Sequence, residues 1–297
     1  MDNLAPIILF VYNRPEHTKR TMESLLKNNL ASTSRLFVFS DGAKNEKDAL
    51  KVKTVRNYIK AVKGFKKIEI VLREKNYGLA NSVISGITEV FKQDDQVIVI
   101  EDDIISLPTF LTFMNKALAF YQDNKSIYSI SGYPYPIKIP SMYKKDIFIS
   151  YRTSSWGWGT WKDRWEKVDW EITDFKNFIA DKESQKRFNR AGEDLVPMLK
   201  AQMNEMIDSW AIRWSYAHFK NKAYCLYPVV PLCKNIGTDK SGTHSSSSKK
   251  LDVSLEEFKK DFDMIKNPEL NDEITELIQR LFRLTLTRKI INYFKFS

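Results

Sequence analysis

Four β-branched apolar residues, Val97-Ile98-Val99-Ile100, run directly into three consecutive carboxylates, Glu101-Asp102-Asp103. A continuous apolar run bounded by polar residues reads as a strand buried on both faces, as in a parallel sheet. The acids then fall at its carboxyl end, the place where open α/β sheets bind ligands. Adjacent carboxylates repel one another and lose solvation when buried, so they are tolerated in water or beside a cation. Hard divalent cations take carboxylate oxygens together with phosphate oxygens. Two readings stand: a Mg²⁺ or Mn²⁺ diphosphate site, and a solvated turn after a core strand.

The preceding residues favour a sheet of that kind. Pro6 to Tyr12 is an apolar strand, and Asn13-Arg14-Pro15-Glu16 turns it into a helix reaching about Lys27, with Pro15 in the first turn. Leu36 to Phe39 is a second buried strand, ended by Ser40-Asp41-Gly42 and followed by a helix over roughly Glu46 to Val62. Ile68 to Leu72 is a third, and Asn76 to Asn81 leads into a helix that ends near Phe91. Strand and helix alternate with strands about thirty residues apart, which predicts a Rossmann-like parallel sheet with right-handed crossovers. No G-x-G-x-x-G follows the first strand and no G-x-x-x-x-G-K-[ST] occurs, which argues against a dinucleotide dehydrogenase and a P-loop NTPase. Instead, polar residues end successive strands and converge on one rim. Arg14 there can pair a phosphate or cap its crossover; Asp41 can accept from a base or ribose, or close an Asx turn with Gly42.

Composition sets the class. The 297 residues are 43% hydrophobic, ample for a globular core, and the net charge of +10 is spread without a run of five basic residues. A diffuse basic surface favours anionic partners but is not a nucleic-acid arm. Cys225 and Cys233 have no C-x-x-C spacing, which argues against a disulfide framework or structural zinc and fits a reducing cytoplasm. Met1 to Pro6 carries no signal-peptide pattern, and no apolar run reaches the ~18 residues of a membrane span. A cytoplasmic protein is expected.

After the acids the regularity fades. Pro108 opens a helix to about Tyr121, Ser126 to Ser131 is a further strand, and Gly132 to Pro136 is a turn-rich aromatic loop. In Ile147 to Trp161, Trp156, Trp158 and Trp161 are interleaved with glycines, so that flat rings can approach a ligand where the backbone bends freely. Trp161 reads as core; Trp156 and Trp158 are either sugar-stacking platforms or core. Met203 to Phe219 looks helical, and Asp208 within it is either an N-cap or a carboxylate in a poorly solvated pocket where it can act as a base. Asn235 to His244 is a polar loop suited to a lid over phosphates, with His244 either a metal or phosphate ligand or an ordinary loop histidine that is neither. From Asn271 to Phe296 apolar residues recur at near-helical spacing among arginines and lysines, with no acid after Glu276. Such a helical tail docks on its own domain or lies on an anionic bilayer.

Together these stretches resemble a GT-A glycosyltransferase, most closely the family containing N-acetylglucosaminyltransferase I and its bacterial relatives. The resemblance runs from the first strand to about His244. Pro6 to Arg14 looks like that family's first strand with its nucleotide-contacting arginine, and Ser40-Asp41 like the acid that meets uridine. Val99 to Asp103 is similar to its version of the DXD motif, in which the last aspartate touches the metal and the preceding acids meet ribose and sugar. Tyr151-Arg152-Thr153 and the glycine-tryptophan segment resemble the lining of the donor and acceptor sites. Asp208 falls at the position of the catalytic base, and Gly237 to His244 at the ordering lid.

The resemblance implies an α/β GT-A domain over residues 1–250, with a nucleotide-binding half (1–103) and a donor and acceptor half (104–250), followed by a helical extension (251–297). It also implies inverting transfer from a UDP-sugar, assisted by Mn²⁺ or Mg²⁺, to a glycan or lipid-linked glycan acceptor, without nucleic acid. Asp208 would take the acceptor proton, Asp103 would hold the metal, and Arg14, Asp41, Glu101, Asp102, Trp156, Trp158 and His244 would contact the nucleotide sugar. A sugar-1-phosphate nucleotidyltransferase would share the sheet and metal chemistry, but the glycine-rich opening loop such enzymes carry is missing after the first strand. A noncatalytic carbohydrate-binding module would use the aromatics without needing Glu101 to Asp103. Mn²⁺-dependent binding of UDP separates enzyme from module, and release of UDP rather than pyrophosphate separates the two enzymes.

Overall fold

Alternation with period two sorts the strand residues onto two faces of one sheet. In the computed structural model, which describes residues 4–238, 249–256 and 261–296, Ile7, Leu9 and Val11 face one core while Ile8 and Phe10 face another. Leu36 and Val38 oppose Phe37 and Phe39 in the same way, as do Ile98 and Ile100 against Val97 and Val99. Burial on both faces accounts for the unbroken apolar runs.

In chain order the elements are β1 (Ile7–Val11), α1 (Pro15–Leu26), β2 (Arg35–Ser40), α2 (Glu46–Ala61), β3 (Lys67–Leu72), α3 (Leu79–Val90), β4 (Gln96–Glu101) and β5 (Ile104–Ser106). The chain continues through α4 (Phe110–Tyr121), β6 (Ile127–Ser131), β7 (Ile147–Ser150), β8 (Trp158–Trp161), α5 (Lys162–Trp165), α6 (Phe175–Ala180), α7 (Lys182–Phe188) and α8 (Leu195–Met203). It ends with α9 (Trp210–Lys220), β9 (Tyr224–Pro228), β10 (Cys233–Asn235), α10 (Asp272–Leu281) and α11 (Leu286–Phe296).

Eight strands form the main sheet in the order β3-β2-β1-β4-β8-β6-β9-β7. The first four are mutually parallel. β8 is antiparallel to both β4 and β6, β9 is parallel to β6, and β7 closes the edge antiparallel to β9. The carboxyl ends of β1, β2, β3, β4, β6 and β9 therefore share one rim with the start of β8. A separate antiparallel pair, β5 with β10, stands beside it, with Asn235 opposite Ile104.

Three expectations change. The glycine-tryptophan segment is a central strand rather than a freely bending loop: Trp158 pairs with Val99 and Trp161 with Gln96. Trp158 is fully buried and stacks on Trp210 at 5.2 Å, within a layer that also holds Trp165, Trp170 and Trp214. The helix expected from Met203 begins at Trp210, because Glu205 takes a left-handed φ of 56° and Ser209 caps the start by accepting from the Ile212 amide. The tail is two helices, broken at Phe282, whose side chain lies over the Arg152 guanidinium at 3.3 Å.

The first of these helices belongs to the core. Ile274 and Ile278 are each 1% exposed and join the same apolar cluster as β1 and α4. Upstream of them Phe262 packs on Phe113, and the Tyr121 hydroxyl donates to the Ile265 carbonyl at 2.7 Å. Both cysteines are buried free thiols. Among the described residues no helix is long and apolar enough to cross a membrane.

Candidate active site

The acids at the end of β4 are held by the end of β1. The chain turns at Asp102-Asp103 before β5, and the turn is pinned where Thr21 of α1 donates its hydroxyl to the Asp102 carbonyl at 2.9 Å. Arg14, just past β1, reaches both acids. Its Nη1 donates to Asp103 Oδ2 at 2.9 Å and its Nη2 to Asp102 Oδ1, while the Tyr12 amide donates to Asp102 Oδ2 at 3.4 Å. Arg14 thus bridges the carboxylates, where the sequence left it to a phosphate or to a crossover cap.

Charge within this cluster is unbalanced, since three carboxylates face one guanidinium. Burial pushes Glu101 up to about 8, the charges of Asp103 and Asp102 push the same way, and Arg14 opposes them. Asp102 is also raised by burial, with Arg14 pulling against it. Burial disfavours the Arg14 charge, but the two aspartates outweigh it and keep the guanidinium protonated. Asp103 Oδ1 is buried and has no hydrogen-bond partner. A buried carboxylate oxygen without a donor, in a cluster with surplus negative charge, fits a divalent cation. Among the described residues no three His, Cys, Asp or Glu side chains gather as a complete ligand set. Asp103 and its neighbours would therefore supply part of the coordination, with phosphate or water oxygens supplying the rest.

The β5–β10 pairing draws a second segment over the acids. The Ile236 amide donates to the Asp103 carbonyl at 2.8 Å, and Gly237 follows so closely that a Cβ there would overlap Asp103 Oδ2 and lie 2.9 Å from Arg14 Nη1. Only glycine admits this approach. The chain then leads toward His244, which lies outside the described residues.

On the neighbouring strands Asp41 is buried. Its carboxylate accepts from the Gly42 amide at 3.0 Å and from the Tyr77 amide at 2.9 and 3.1 Å. The Asx turn with Gly42 is present, and the same carboxylate ties the end of β2 to the loop before α3. Tyr77 went unnoticed in the sequence. Its ring, 48% exposed, covers the Arg73 guanidinium at 4.3 Å, which leaves an aromatic face on the rim beside Asp41. The signal was its place just after the third strand, but nothing local marks Tyr77 as exposed.

Asp208 reaches the rim from the other side. Its Oδ2 lies 3.6 Å from where a Cβ on Gly78 would stand, next in sequence to Tyr77, and Arg213 Nη2 is 3.7 Å from its Oδ1. Neither local alternative for this residue holds. Ser209 is the cap, and the Asp208 side chain is 56% exposed instead of enclosed in an apolar pocket.

The tryptophans divide. Trp158 presents no face to a ligand, which corrects its reading as a stacking platform, because the tryptophan layer between the sheet and α9 surrounds it. Trp156 is half-buried against Tyr133, with ring centroids 4.5 Å apart, and lines a cavity of about 170 Å³. Arg152, Ser215, Leu195 and Phe282 line it as well. Arg152 is itself fixed by a bidentate pair with Asp194, at 2.8 Å for each bond. The cavity lies on the β8 and β6 side of the rim, and none of the three acids lines it.

With the acidic turn, the bridging arginine and the rim of Asp41 and Asp208 described, comparison with known proteins gives the family. The model for glycosyl transferase family 2 matches residues 7–184, well over half of the chain. The chain belongs to this family. Members of this family are glycosyltransferases, and here the family's domain is built on a mostly parallel sheet flanked by helices. No curated protein matches it. Among solved structures it is similar to S. aureus TarS, at 13% identity and a TM-score of 0.44, over 77% of this chain and 37% of that one. A second structure, of TarS 1-349, gives 14% identity and a TM-score of 0.40 over 76% of this chain and 60% of that one. The chain thus spans less than two thirds of the length of either TarS chain.

Proposed function

We propose that this family 2 enzyme is a metal-dependent, inverting transferase that moves a hexosyl or N-acetylhexosaminyl unit from UDP to a glycan or lipid-linked glycan during bacterial surface polysaccharide synthesis. The observation that carries the reading is the buried, donorless Asp103 Oδ1 in a cluster of three acids and one arginine. The resemblance of the Val99 to Asp103 segment to the N-acetylglucosaminyltransferase I family supports UDP as the nucleotide.

Asp103 is the residue to hold Mn²⁺ or Mg²⁺, with Arg14 orienting its carboxylate. Held there, such an ion would offset the charge of the leaving diphosphate. Asp41 holds the Tyr77 loop, whose exposed ring suits a base, and Trp156 and Tyr133 suit a sugar ring in the adjoining cavity. Asp208, solvated and within reach of the rim, accepts the proton of the acceptor hydroxyl as that oxygen attacks the anomeric carbon. The anomeric configuration inverts and no covalent intermediate forms. Nucleotide sugars place the reaction on the cytoplasmic side.

Calorimetry of UDP binding with and without Mn²⁺ tests the site. Asp103→Ala should abolish the Mn²⁺-dependent binding, and Asp102→Asn should weaken it less. Unchanged affinity and metal dependence in Asp103→Ala would return the acidic turn to a purely structural role.

A further inference from the structure

The last helix carries its apolar side outward. Among the described residues ten large apolar side chains are exposed, and four of them fall within nine positions of α11: Leu286 at 80%, Ile290 at 58%, Ile291 at 48% and Phe294 at 75%. With 3.6 residues per turn, Leu286, Ile290 and Phe294 form one stripe and Ile291 widens it. The opposite side of the helix holds it to the body. Lys289 Nζ pairs with Glu193 Oε1 at 2.9 Å, and Phe296 lies under Lys200 of α8 at 6.0 Å. The stripe is therefore displayed by tethering, and α11 is about 16 Å long, too short to span a bilayer.

Charge identifies what the stripe meets. From Leu277 to Phe296 there are five cations, Arg280, Arg283, Arg288, Lys289 and Lys295, and no acid. Arg288 and Lys295 are exposed and flank the stripe, and Lys200 adds a cation beside Phe296. Stripe-to-stripe contact between two copies would bring like charges together, which disfavours self-association. A surface that accepts apolar side chains and attracts cations along the same line is the headgroup boundary of an anionic leaflet.

We infer that α11 is an interfacial helix that seats the protein on an anionic lipid surface, with Leu286, Ile290, Ile291 and Phe294 inserted among the acyl chains and Arg288 and Lys295 on the headgroups. The attachment is reversible and weakened by salt. It does not depend on the proposed transfer reaction, since none of these residues belongs to the acidic cluster or the cavity.

Flotation of the full chain with vesicles of equal parts phosphatidylglycerol and phosphatidylcholine, and with pure phosphatidylcholine, tests this. The chain should float with the anionic vesicles only, and should release at ~1 M salt, where the Debye length falls to about 3 Å. Each cation near the leaflet raises partitioning roughly fivefold, so Arg288→Ala with Lys295→Ala should lower it by about 25-fold. Leu286→Asp with Ile290→Asp should abolish flotation. Both pairs change exposed side chains, and an unaltered thermal melt separates loss of the surface from loss of the fold. Failure of the full chain to float, or flotation indifferent to both variants, overturns the inference. So does a dimer in sedimentation equilibrium that the aspartate pair dissolves in a chain that ignores the vesicles.

Discussion

At Asp208 a single atom separates the proposed role of base from a structural one. Its side chain is exposed, and the capping of α9 falls to Ser209, so Asp208→Asn removes a base without removing a cap. Turnover should fall by roughly 10²–10⁴-fold, the usual size of a general-base contribution, with the melting temperature and UDP affinity unchanged. Steady-state kinetics on the purified variant decides it, and retained transfer would deny Asp208 the role of base. His218 is the opposite case, a titratable group that serves only the core. Nδ1 donates to the Trp214 carbonyl at 2.9 Å, since a carbonyl can only accept, and Nε2 then accepts from the Ser129 hydroxyl at 2.8 Å. Burial pushes this imidazole down to about 3, with the hydrogen bond to Trp214 opposing. The unfolded chain, near the ordinary value of 6.5, takes up a proton in the acid range before the folded one does. Stability from this group is complete above about pH 6.5 and declines as pH falls toward 3, by up to about 1.4 kcal/mol per unit. Urea unfolding of His218→Gln between about pH 7 and pH 5 should show a shallower decline than the parent, whatever its absolute stability. Parallel curves would assign the acid sensitivity to carboxylates.

Between elements, Arg152 and Asp194 do what no single strand or helix can. Arg152 follows β7, Asp194 precedes α8, and Phe282 closes over the guanidinium from the end of α10. Burial disfavours the Arg152 charge, and Asp194 more than offsets it. Asp194→Ala leaves that charge in the core without its partner, which costs about 3 kcal/mol, near the low end for buried pairs because Asp194 keeps 22% exposure. Chemical denaturation should register the loss. The cavity beside Trp156 should open in consequence, so that KM for the nucleotide sugar rises more than kcat falls. A variant as stable as the parent would show that the pair is dispensable for packing the rim.

For the molecule as a whole, the two final helices have different standing. Ending the chain after Glu269 removes Ile274 and Ile278 from the principal core and Phe282 from Arg152. With about 2–5 kcal/mol lost for each large aliphatic side chain, such a protein should be destabilised by at least ~4 kcal/mol and should melt well below the parent. Ending it after Thr285 keeps α10 and, just beyond it, the Leu284 amide bonded to Glu193 at 2.8 Å, and should fold normally. Differential scanning calorimetry of the two truncations distinguishes them. Equal melting temperatures would mean that α10, like α11, is an appendage.

Much of the first hundred residues could be read directly from the chain. Strands buried on both faces must be continuously apolar, and local turn chemistry ends them, so β1, β2 and β4, the partly exposed edge strand β3 that alternates with helices among them, and the acids at the end of β4 follow from neighbours in sequence. The rest depends on partners far along the chain. Arg14 meets acids 88 and 89 residues away, and which charge it serves was settled by the parallel pairing of β1 with β4. Trp158 carries the same residue type and the same glycine neighbours as a ligand-facing ring would. Its burial comes from a register against Val99 and a wall of tryptophans drawn from α5 and α9 and the chain between them. The amphipathic tail reads as one pattern, yet α10 buries Ile274 and Ile278 in the principal core while α11 is held by Glu193 with its stripe turned to solvent. Periodicity reports that a helix has an apolar side; what that side touches is a property of the packed molecule.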